Sequence, residues 1–217
     1  MPTWRCRVAI TTILSDLGNV VVDYDNQKMY ESFAALSGRK PEDVERILFG
    51  CEADESYLIA RYSLGQINSR QFHCAFMHAL GLCGSQRAHQ VFMTAFCDVF
   101  TPNRQVIGLW RHLRRQGITL TAVSNIEQLR HIWLKHLDIM KLFDHEVVSY
   151  VEGLLKPSEE FMVRALDLSG AMAEETVFID DIAANLVPAA KLGIHTHCYR
   201  DFDKLVEFLQ GLGLPVG

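Results

Sequence analysis

The sequence predicts an α/β fold in which a parallel sheet is flanked by helices and interrupted by an inserted helical segment. Three observations support it. An apolar, β-branched run over residues 10–15 stops at Asp16 and is followed by a glycine turn. Residues 26–100 contain no convincing strand, whereas helices and apolar strands alternate from residue 101 onward. Strands separated by helices of this length imply right-handed crossovers and a parallel sheet.

The first apolar run is typical of a strand that is buried on both faces, because it is continuous in Ile, Leu and Thr. Asp16 follows it at the position where open α/β sheets bind their ligands. Since an unpaired buried charge is costly, we expect Asp16 to face a metal, a cation or a substrate. The alternative is an ordinary helix N-cap after a strand, and this stretch alone does not separate the two.

The inserted segment, residues 26–100, reads as successive helices broken at glycines. Pro41 followed by two acidic residues predicts a helix start, because proline suits the first turn and acids suit the positive end of the helix dipole. Apolar residues at 3/4 spacing over residues 72–80 predict one buried helix face. We interpret this aromatic stripe as core packing, with a substrate-pocket wall as the alternative.

The second half of the chain alternates helices and strands. The pattern predicts a helix over 102–116, a strand over 118–123, a helix to 137, a strand over 146–149, a helix from 157 to about 168, a strand over 176–179, a helix to 192, a strand over 194–198 and a final helix.

Composition excludes several functional classes. The chain has 217 residues, which suits one large domain or one domain with a sizeable insertion, and 49% of them are hydrophobic. A net charge of -5 and the lack of a Lys/Arg-rich run argue against nucleic acid or an anionic membrane as partner. The six cysteines form no C-x-x-C pair and no zinc spacing, which indicates a reducing cytoplasm.

Polar residues follow the predicted strands in a fixed order. Asp16 ends the first, Ser124-Asn125 the second and Asp180-Asp181 the fourth, while Lys156 opens a helix after the third. Because the carboxyl ends of parallel strands share one edge, these groups are expected to converge there.

This order resembles the haloacid dehalogenase superfamily of phosphatases and related hydrolases over the whole chain. The stretch Asp16-Leu17-Gly18-Asn19-Val20 resembles the nucleophile loop of that family, and Val123-Ser124-Asn125 the second motif. Lys156-Pro157 resembles the third motif, and Asp180-Asp181 with Asn185 the fourth. The D-L-G-N-V form is similar to a branch that includes bacterial sugar-phosphate phosphatases, among them glucose-1-phosphatase.

The resemblance implies a Rossmann-like α/β core formed by residues 1–24 and 101–217, with a type 1 helical cap over residues 25–100. It also implies a Mg²⁺-dependent phosphatase that acts on a small phosphorylated metabolite, with a sugar phosphate as one candidate.

The same resemblance assigns roles to the residues at the strand ends. Asp16 is expected to be the nucleophile and to form an aspartyl-phosphate. Lys156 is expected to be catalytic and, with Ser124 and Asn125, to bind phosphate. The expected Mg²⁺ ligands are Asp16, the backbone carbonyl of Gly18 and Asp181, with Asp180 behind them or acting through water.

Elementary electrostatics agrees with these roles. Two like charges about 4 Å apart repel by about 4 kcal/mol at an effective dielectric of 20. A carboxylate that attacks a phosphate therefore needs nearby positive charge, which a divalent cation and Lys156 would supply.

Gly18 departs from the family pattern, because active phosphatases usually carry a second Asp there as general acid and base. The absence of this Asp removes general acid–base catalysis that is worth roughly 10²–10⁴ in rate. Asp23, Asp25, His73 or His78 are candidate substitutes. Two rival hypotheses stay open: a true haloacid dehalogenase, which would suit Gly18 but leave Asp180-Asp181 unexplained, and a non-catalytic binding module that keeps the fold.

Overall fold

The computed structural model describes residues 9–50 and 57–216. Its strands are, in chain order, β1 (Thr12–Ser15), β2 (Val22–Tyr24), β3 (Phe100–Pro102), β4 (Thr119–Ser124), β5 (His145–Val148), β6 (Thr176–Asp180) and β7 (His195–Cys198). Its α-helices are α1 (Gln27–Ser37), α2 (Pro41–Phe49), α3 (Leu58–Ser63), α4 (Ser69–Leu80), α5 (Gln86–Cys97), α6 (Arg104–Arg115), α7 (Gln128–His136), α8 (Ser149–Glu152), α9 (Glu159–Ser169), α10 (Ala183–Lys191) and α11 (Phe202–Gly211).

Five strands form one parallel sheet in the order β5-β4-β1-β6-β7, which confirms the predicted fold class. Strand β1 lies in the centre, and all four of its residues are buried. Ser15, its last residue, is in register with Ala122 of β4 and Ile179 of β6. The residues that follow these three strands therefore share one edge of the sheet.

The sheet is covered on both faces because alternate side chains of a strand point to opposite sides. Ile13 of β1 packs on one face in a cluster that includes Trp110 and Leu113 of α6. Leu14 packs on the other face with Phe161 of α9 and Phe178 of β6. Helices on both faces leave the carboxyl edge of the strands open for a site.

Helices α1–α5 form what we call the helical segment, and they bury a hydrophobic cluster of their own. Phe72 and Phe76 of α4 pack with rings from α1 and α5, and Phe72 also stacks on Tyr62 at a centroid distance of 4.4 Å. The aromatic stripe of α4 is thus core packing, as expected. That residues 25–100 act as a separate domain stays a prediction.

Strand β3 and the start of α6 differ from the sequence-based expectation, and Ser149, expected in a strand, begins the short helix α8. Strand β3 was not predicted, yet it pairs antiparallel with β2, and Tyr24 lies opposite Phe100. The helix expected from residue 102 begins instead at Arg104, because the Asn103 side chain accepts a hydrogen bond from the backbone N–H of Val106 and caps it. A three-residue strand whose partner lies far away in the chain has no local sequence signal.

Within the described residues, the helices are all too short or too polar to cross a membrane.

Candidate active site

Asp16 lies directly after β1, at the centre of the open sheet edge. Its backbone N–H donates to the Ile179 carbonyl at 2.9 Å, which continues the ladder toward β6 and fixes the backbone. Its Oδ1 accepts from the backbone N–H of Leu17 at 2.7 Å and lies 2.8 Å from Nζ of Lys156. Its other oxygen, Oδ2, accepts no hydrogen bond from the described residues. One carboxylate oxygen is therefore held and the other is free to react.

Lys156 forms a buried bridge between two carboxylates. Its Nζ lies 2.8 Å from Oδ1 of Asp16 and 2.7 Å from Oδ2 of Asp180, and its side chain is only 2% exposed. Asp180 is fully buried, and its Oδ1 accepts from the backbone N–H of Ile182 and from Nδ2 of Asn185. Both oxygens of Asp180 are thus engaged, which leaves Asp16 and Asp181 as the more accessible acids.

Burial and the neighbouring charges shift the pKa values of Asp16 and Lys156 in opposite directions. Burial raises the pKa of Asp16 from 3.8 to about 6, although the Lys156 ammonium acts in the opposite direction. Burial acts to lower the pKa of Lys156, but the carboxylates of Asp16 and Asp180 reverse this and hold the pKa above its ordinary value. Lys156 is therefore an ammonium at neutral pH, and Asp16 gains from any further positive charge.

The acids at this edge have the chemistry of a hard-cation site. Carboxylate oxygens of Asp16, Asp180 and Asp181 lie within 4.8 Å of one another. Three carboxylates beside one ammonium leave a formal excess of negative charge that a divalent cation would balance. Oxygen donors alone are the set that Mg²⁺ prefers. The residues present therefore fit Mg²⁺, and Asn19 steadies Asp181 by donating from Nδ2 to its Oδ2 at 3.0 Å.

Ser124 ends β4 at the same edge and Asn125 follows it, and both line the cavity above Asp16. The Asn125 amide also holds Lys156 in place: its Oδ1 accepts from the Lys156 backbone N–H at 2.8 Å, and its Nδ2 donates to the Lys156 carbonyl at 3.0 Å. One amide hydrogen remains for a ligand. The structure thus gives Asn125 a positioning contact that the sequence did not predict, while its phosphate-binding role stays a prediction.

A cavity of about 330 Å³ opens above these residues, between the sheet edge and the helical segment. Asp16, Gly18, Ser124, Lys156 and Asp181 line its floor. The predicted site residues are therefore brought together around one cavity, with Asp180 buried behind them.

The comparisons with known proteins agree with this geometry. The model of one protein family, described as haloacid dehalogenase-like hydrolase, matches residues 10–193. The chain belongs to this family.

Two relatives show what the chain is similar to in sequence. A sesquiterpene phosphatase of Aspergillus oryzae is 30% identical over 139 residues, which are 62% of this chain and 68% of the relative. The match to a longer relative, rat bifunctional epoxide hydrolase 2, is 30% identical and covers 46% of this chain but only 19% of that protein.

Among solved structures, a family enzyme of Bacteroides thetaiotaomicron in complex with magnesium and inorganic phosphate superposes with a TM-score of 0.78. The two chains are 20% identical, and the match covers 91% of this chain and 99% of the other. At this identity the likeness confirms the fold.

Gly18 stands where the haloacid dehalogenase-like phosphatases usually carry their general acid. A Cβ atom at this position would lie 3.1 Å from Cε1 of Tyr24, so the Tyr24 ring fills the space that a side chain would enter. Of the four substitutes considered from the sequence, Asp23, Asp25, His73 and His78, none lines the cavity. Those four are therefore poorly placed for proton transfer in this family member.

Two features of the site were not predicted from the sequence. Ser15 accepts a hydrogen bond from Nε1 of the buried Trp110 at 3.2 Å and donates to the Asp16 carbonyl, so it satisfies a buried donor next to Asp16. Glu127 and Arg130 line the cavity although both are at least nine-tenths buried. Acidic and basic residues three apart, directly after the second family motif, are a signal that could have revealed them.

Proposed function

We propose that this chain is a Mg²⁺-dependent phosphomonoesterase that acts on a small phosphorylated metabolite through an aspartyl-phosphate on Asp16. The observation that carries the proposal is the arrangement of Asp16, which lines the cavity: one oxygen is bound by Lys156 and a backbone N–H, and the other accepts no hydrogen bond from the described residues. The phosphatase relative from Aspergillus oryzae and the magnesium–phosphate complex of the Bacteroides enzyme support it.

Different residues of the cavity floor would bind the cation and the phosphate. Asp16, Asp181 and the Gly18 carbonyl would hold Mg²⁺, with Asp180 behind them, and the ion would supply positive charge to the phosphoryl oxygens. Lys156 neutralises Asp16 and adds its own charge at the same place. Ser124 and the remaining amide hydrogen of Asn125 donate to phosphoryl oxygens. These donors are fixed before the substrate arrives, which is the arrangement that favours a charged transition state.

The reaction then has two displacements. Oδ2 of Asp16 attacks phosphorus, a bond forms between them, and the bond from phosphorus to the ester oxygen breaks. The departing alkoxide takes a proton from water. In the second displacement a water oxygen attacks phosphorus, its proton passes to the hydroxide left by the first step, the bond to Asp16 breaks, and the carboxylate returns as inorganic phosphate leaves.

Two substrate classes follow from the family. The D-L-G-N-V motif at residues 16–20 supports a sugar phosphate, and the Aspergillus oryzae relative supports a terpenoid phosphate. Residues 25–100 would act as the cap that covers either one.

We place the protein in the cytoplasm, since Cys74, Cys83, Cys97 and Cys198 are free thiols. Cys6 and Cys51 lie outside the described residues.

Turnover of p-nitrophenyl phosphate in the presence of Mg²⁺ tests the proposal. We expect hydrolysis by the wild type, its loss with EDTA and its loss in Asp16→Asn. The matched control is Asp138→Asn, because Asp138 is an exposed carboxylate paired only with the exposed Lys141 among the described residues. Failure of the wild type to turn over, or full activity of Asp16→Asn, contradicts the proposal.

A haloacid dehalogenase is the second candidate, and Gly18 is the observation that favours it, because halide needs no proton on leaving. The acid cluster at Asp180 and Asp181 favours the phosphatase, since a neutral haloacid carbon needs no cation beside the nucleophile. Halide release from 2-chloropropionate without phosphate release from p-nitrophenyl phosphate would decide for the dehalogenase.

A further inference from the structure

The walls of the cavity differ chemically from its floor. Above the phosphate-binding end, apolar side chains come from both sides: Phe49, Ile59 and Ala60 from the helical segment, and Phe100, Ile126 and Leu134 from the rest of the chain. Ile59, Ile126 and Leu134 are more than nine-tenths buried, so these walls are rigid parts of the hydrophobic packing. A ligand that fills the cavity must therefore lie against hydrocarbon.

Four of the polar residues that reach the walls, Asn26, Ser63, Glu127 and Arg130, are already paired with other protein groups, whereas the Tyr24 hydroxyl, which also lines the cavity, has no partner among the described residues. Ser63 Oγ donates to Glu127 Oε1 at 3.0 Å. Arg130 donates from Nη2 to Asn26 Oδ1 at 2.7 Å and from Nε to a backbone carbonyl at 3.2 Å. The Tyr24 hydroxyl could pair with one substrate hydroxyl, but further hydroxyls would compete with the bonds that the other four residues already make. Because a buried polar group without a partner is costly, the walls disfavour a polyhydroxylated leaving group.

We propose that the substrates are phosphate monoesters of apolar alcohols, in which a hydrocarbon group lies between the helical segment and α7 while the phosphate contacts the floor. As a substrate assignment this rests on the proposed phosphatase function, but as a binding preference it does not. The cavity volume of about 330 Å³ suits a chain of moderate length. The proposal selects the apolar class over the sugar phosphates.

A series of n-alkylphosphonates from ethyl to hexyl, titrated calorimetrically with Mg²⁺ present, tests the binding preference. Phosphonates cannot be hydrolysed, so the measurement does not depend on turnover. We expect the dissociation constant to fall about fourfold per methylene group, or roughly 250-fold over the series. A total gain of less than about tenfold overturns the proposal.

A substrate comparison extends the test to turnover. Hexyl phosphate and glucose 6-phosphate are both primary alkyl esters, so the leaving oxygens are similar and the difference lies in the group against the walls. We expect a higher kcat/KM for hexyl phosphate, and preference for glucose 6-phosphate overturns the proposal. If no phosphate ester is hydrolysed, the phosphatase assignment fails while the phosphonate series still decides the binding preference.

Substitution of one wall residue, compared with a matched control, tests whether that wall produces the preference for longer alkyl chains. Phe49 is 38% exposed and lines the cavity, whereas Met93 of α5 is 40% exposed and lies outside it. Phe49→Ser should weaken hexylphosphonate binding and leave ethylphosphonate binding nearly unchanged. Met93→Ser should alter neither. Equal effects of both substitutions on the hexyl compound would show that the gain arises elsewhere, and would overturn the assignment of this wall.

Discussion

Replacing Lys156 by methionine removes the positive charge that lies between two buried carboxylates. Methionine keeps an unbranched apolar chain of similar length, so packing changes little. The side chain of Lys156 is 2% exposed, and those of its partners Asp16 and Asp180 are 10% and 0% exposed. In the absence of a divalent cation, the variant leaves two acids facing one another with little solvent to screen them.

The size of the effect follows from distance and burial. Oxygens of Asp16 and Asp180 lie within 4.8 Å of one another. At that separation two like charges repel by about 3.5 kcal/mol at an effective dielectric of about 20. Removing one partner of a buried ion pair typically costs about 3–5 kcal/mol. We therefore expect the free energy of unfolding of Lys156→Met to fall by about 3–4 kcal/mol at pH 8.

The loss of unfolding free energy in Lys156→Met should depend on pH, and the pKa of Asp16 gives the direction of this dependence. The pKa of Asp16 is raised from 3.8 to about 6, so the folded state binds the extra proton as pH falls through 6. Removal of Lys156 raises this pKa further. At pH 5 Asp16 is then protonated, the repulsion is gone, and the difference between variant and wild type shrinks.

Urea denaturation of both proteins at pH 8 and pH 5, with EDTA present, measures this difference. The control is Lys141→Met, because the side chains of Lys141 and Asp138 are 76% and 65% exposed and such surface pairs contribute about 0–1 kcal/mol. With Mg²⁺ restored, turnover by Lys156→Met should also fall about 10²–10³-fold. An equal loss of stability at both pH values would refute the reasoning, because it would mean that Lys156 contributes packing rather than charge.

Three further predictions follow from the same site and its surroundings. Asp181→Asn should abolish the rise in unfolding temperature that Mg²⁺ causes in the wild type; an unchanged rise in thermal denaturation would remove Asp181 from the ligands. With Gly18 in place of an acid, kcat/KM should fall steeply as the pKa of the leaving group rises, and stopped-flow measurements with p-nitrophenyl phosphate should show a burst of p-nitrophenol; a flat dependence of kcat/KM without a burst would reveal another proton donor. Burial lowers the pKa of His131 despite the nearby Glu146, so its contribution to stability is complete above pH 6.5 and is lost as pH falls. His131→Gln should therefore lose less stability than the wild type between pH 7 and pH 5, and parallel denaturation curves would contradict this.

The floor of the site could be predicted from the sequence because its residues follow strands. A strand end is visible as the point where an apolar run meets a polar residue, and parallel pairing then brings Asp16, Ser124 and Asp181 to one edge. Lys156 belongs to this set because its motif follows the third strand of the sheet. Local sequence and topology together were sufficient here.

The walls could not be predicted, since they depend on contacts between distant parts of the chain. Phe49 and Leu134 line one cavity although 85 positions separate them. The place of Tyr24 over Gly18 depends on the pairing of β2 with β3, and β3 itself has no local signal. Ser15 reads as an anomaly in the strand until Trp110 is seen to donate to it.

Helix α7 connects the two parts of the site. It begins four residues after Ser124, and the residues at its start contact the helical segment. These contacts are Ser63 Oγ to Glu127 Oε1 at 3.0 Å, Ser69 Oγ to Gln128 Oε1 at 2.6 Å, and the Leu129 backbone N–H to Tyr62 Oη at 3.0 Å.

Arg130 completes this connection at both ends of the helical segment. It donates to Asn26, directly before α1, and to the carbonyl of Phe96, near the end of α5. Its guanidinium also lies 4.6 Å from the centre of the Phe96 ring. The stretch 127–130 therefore sets the distance of the apolar walls from Ser124 at the end of β4. Because the same short stretch follows Ser124 and Asn125 in the chain, the spacing between Ser124 and the walls depends on the contacts of this stretch. Substrate length should consequently depend on α7 as much as on the wall residues themselves.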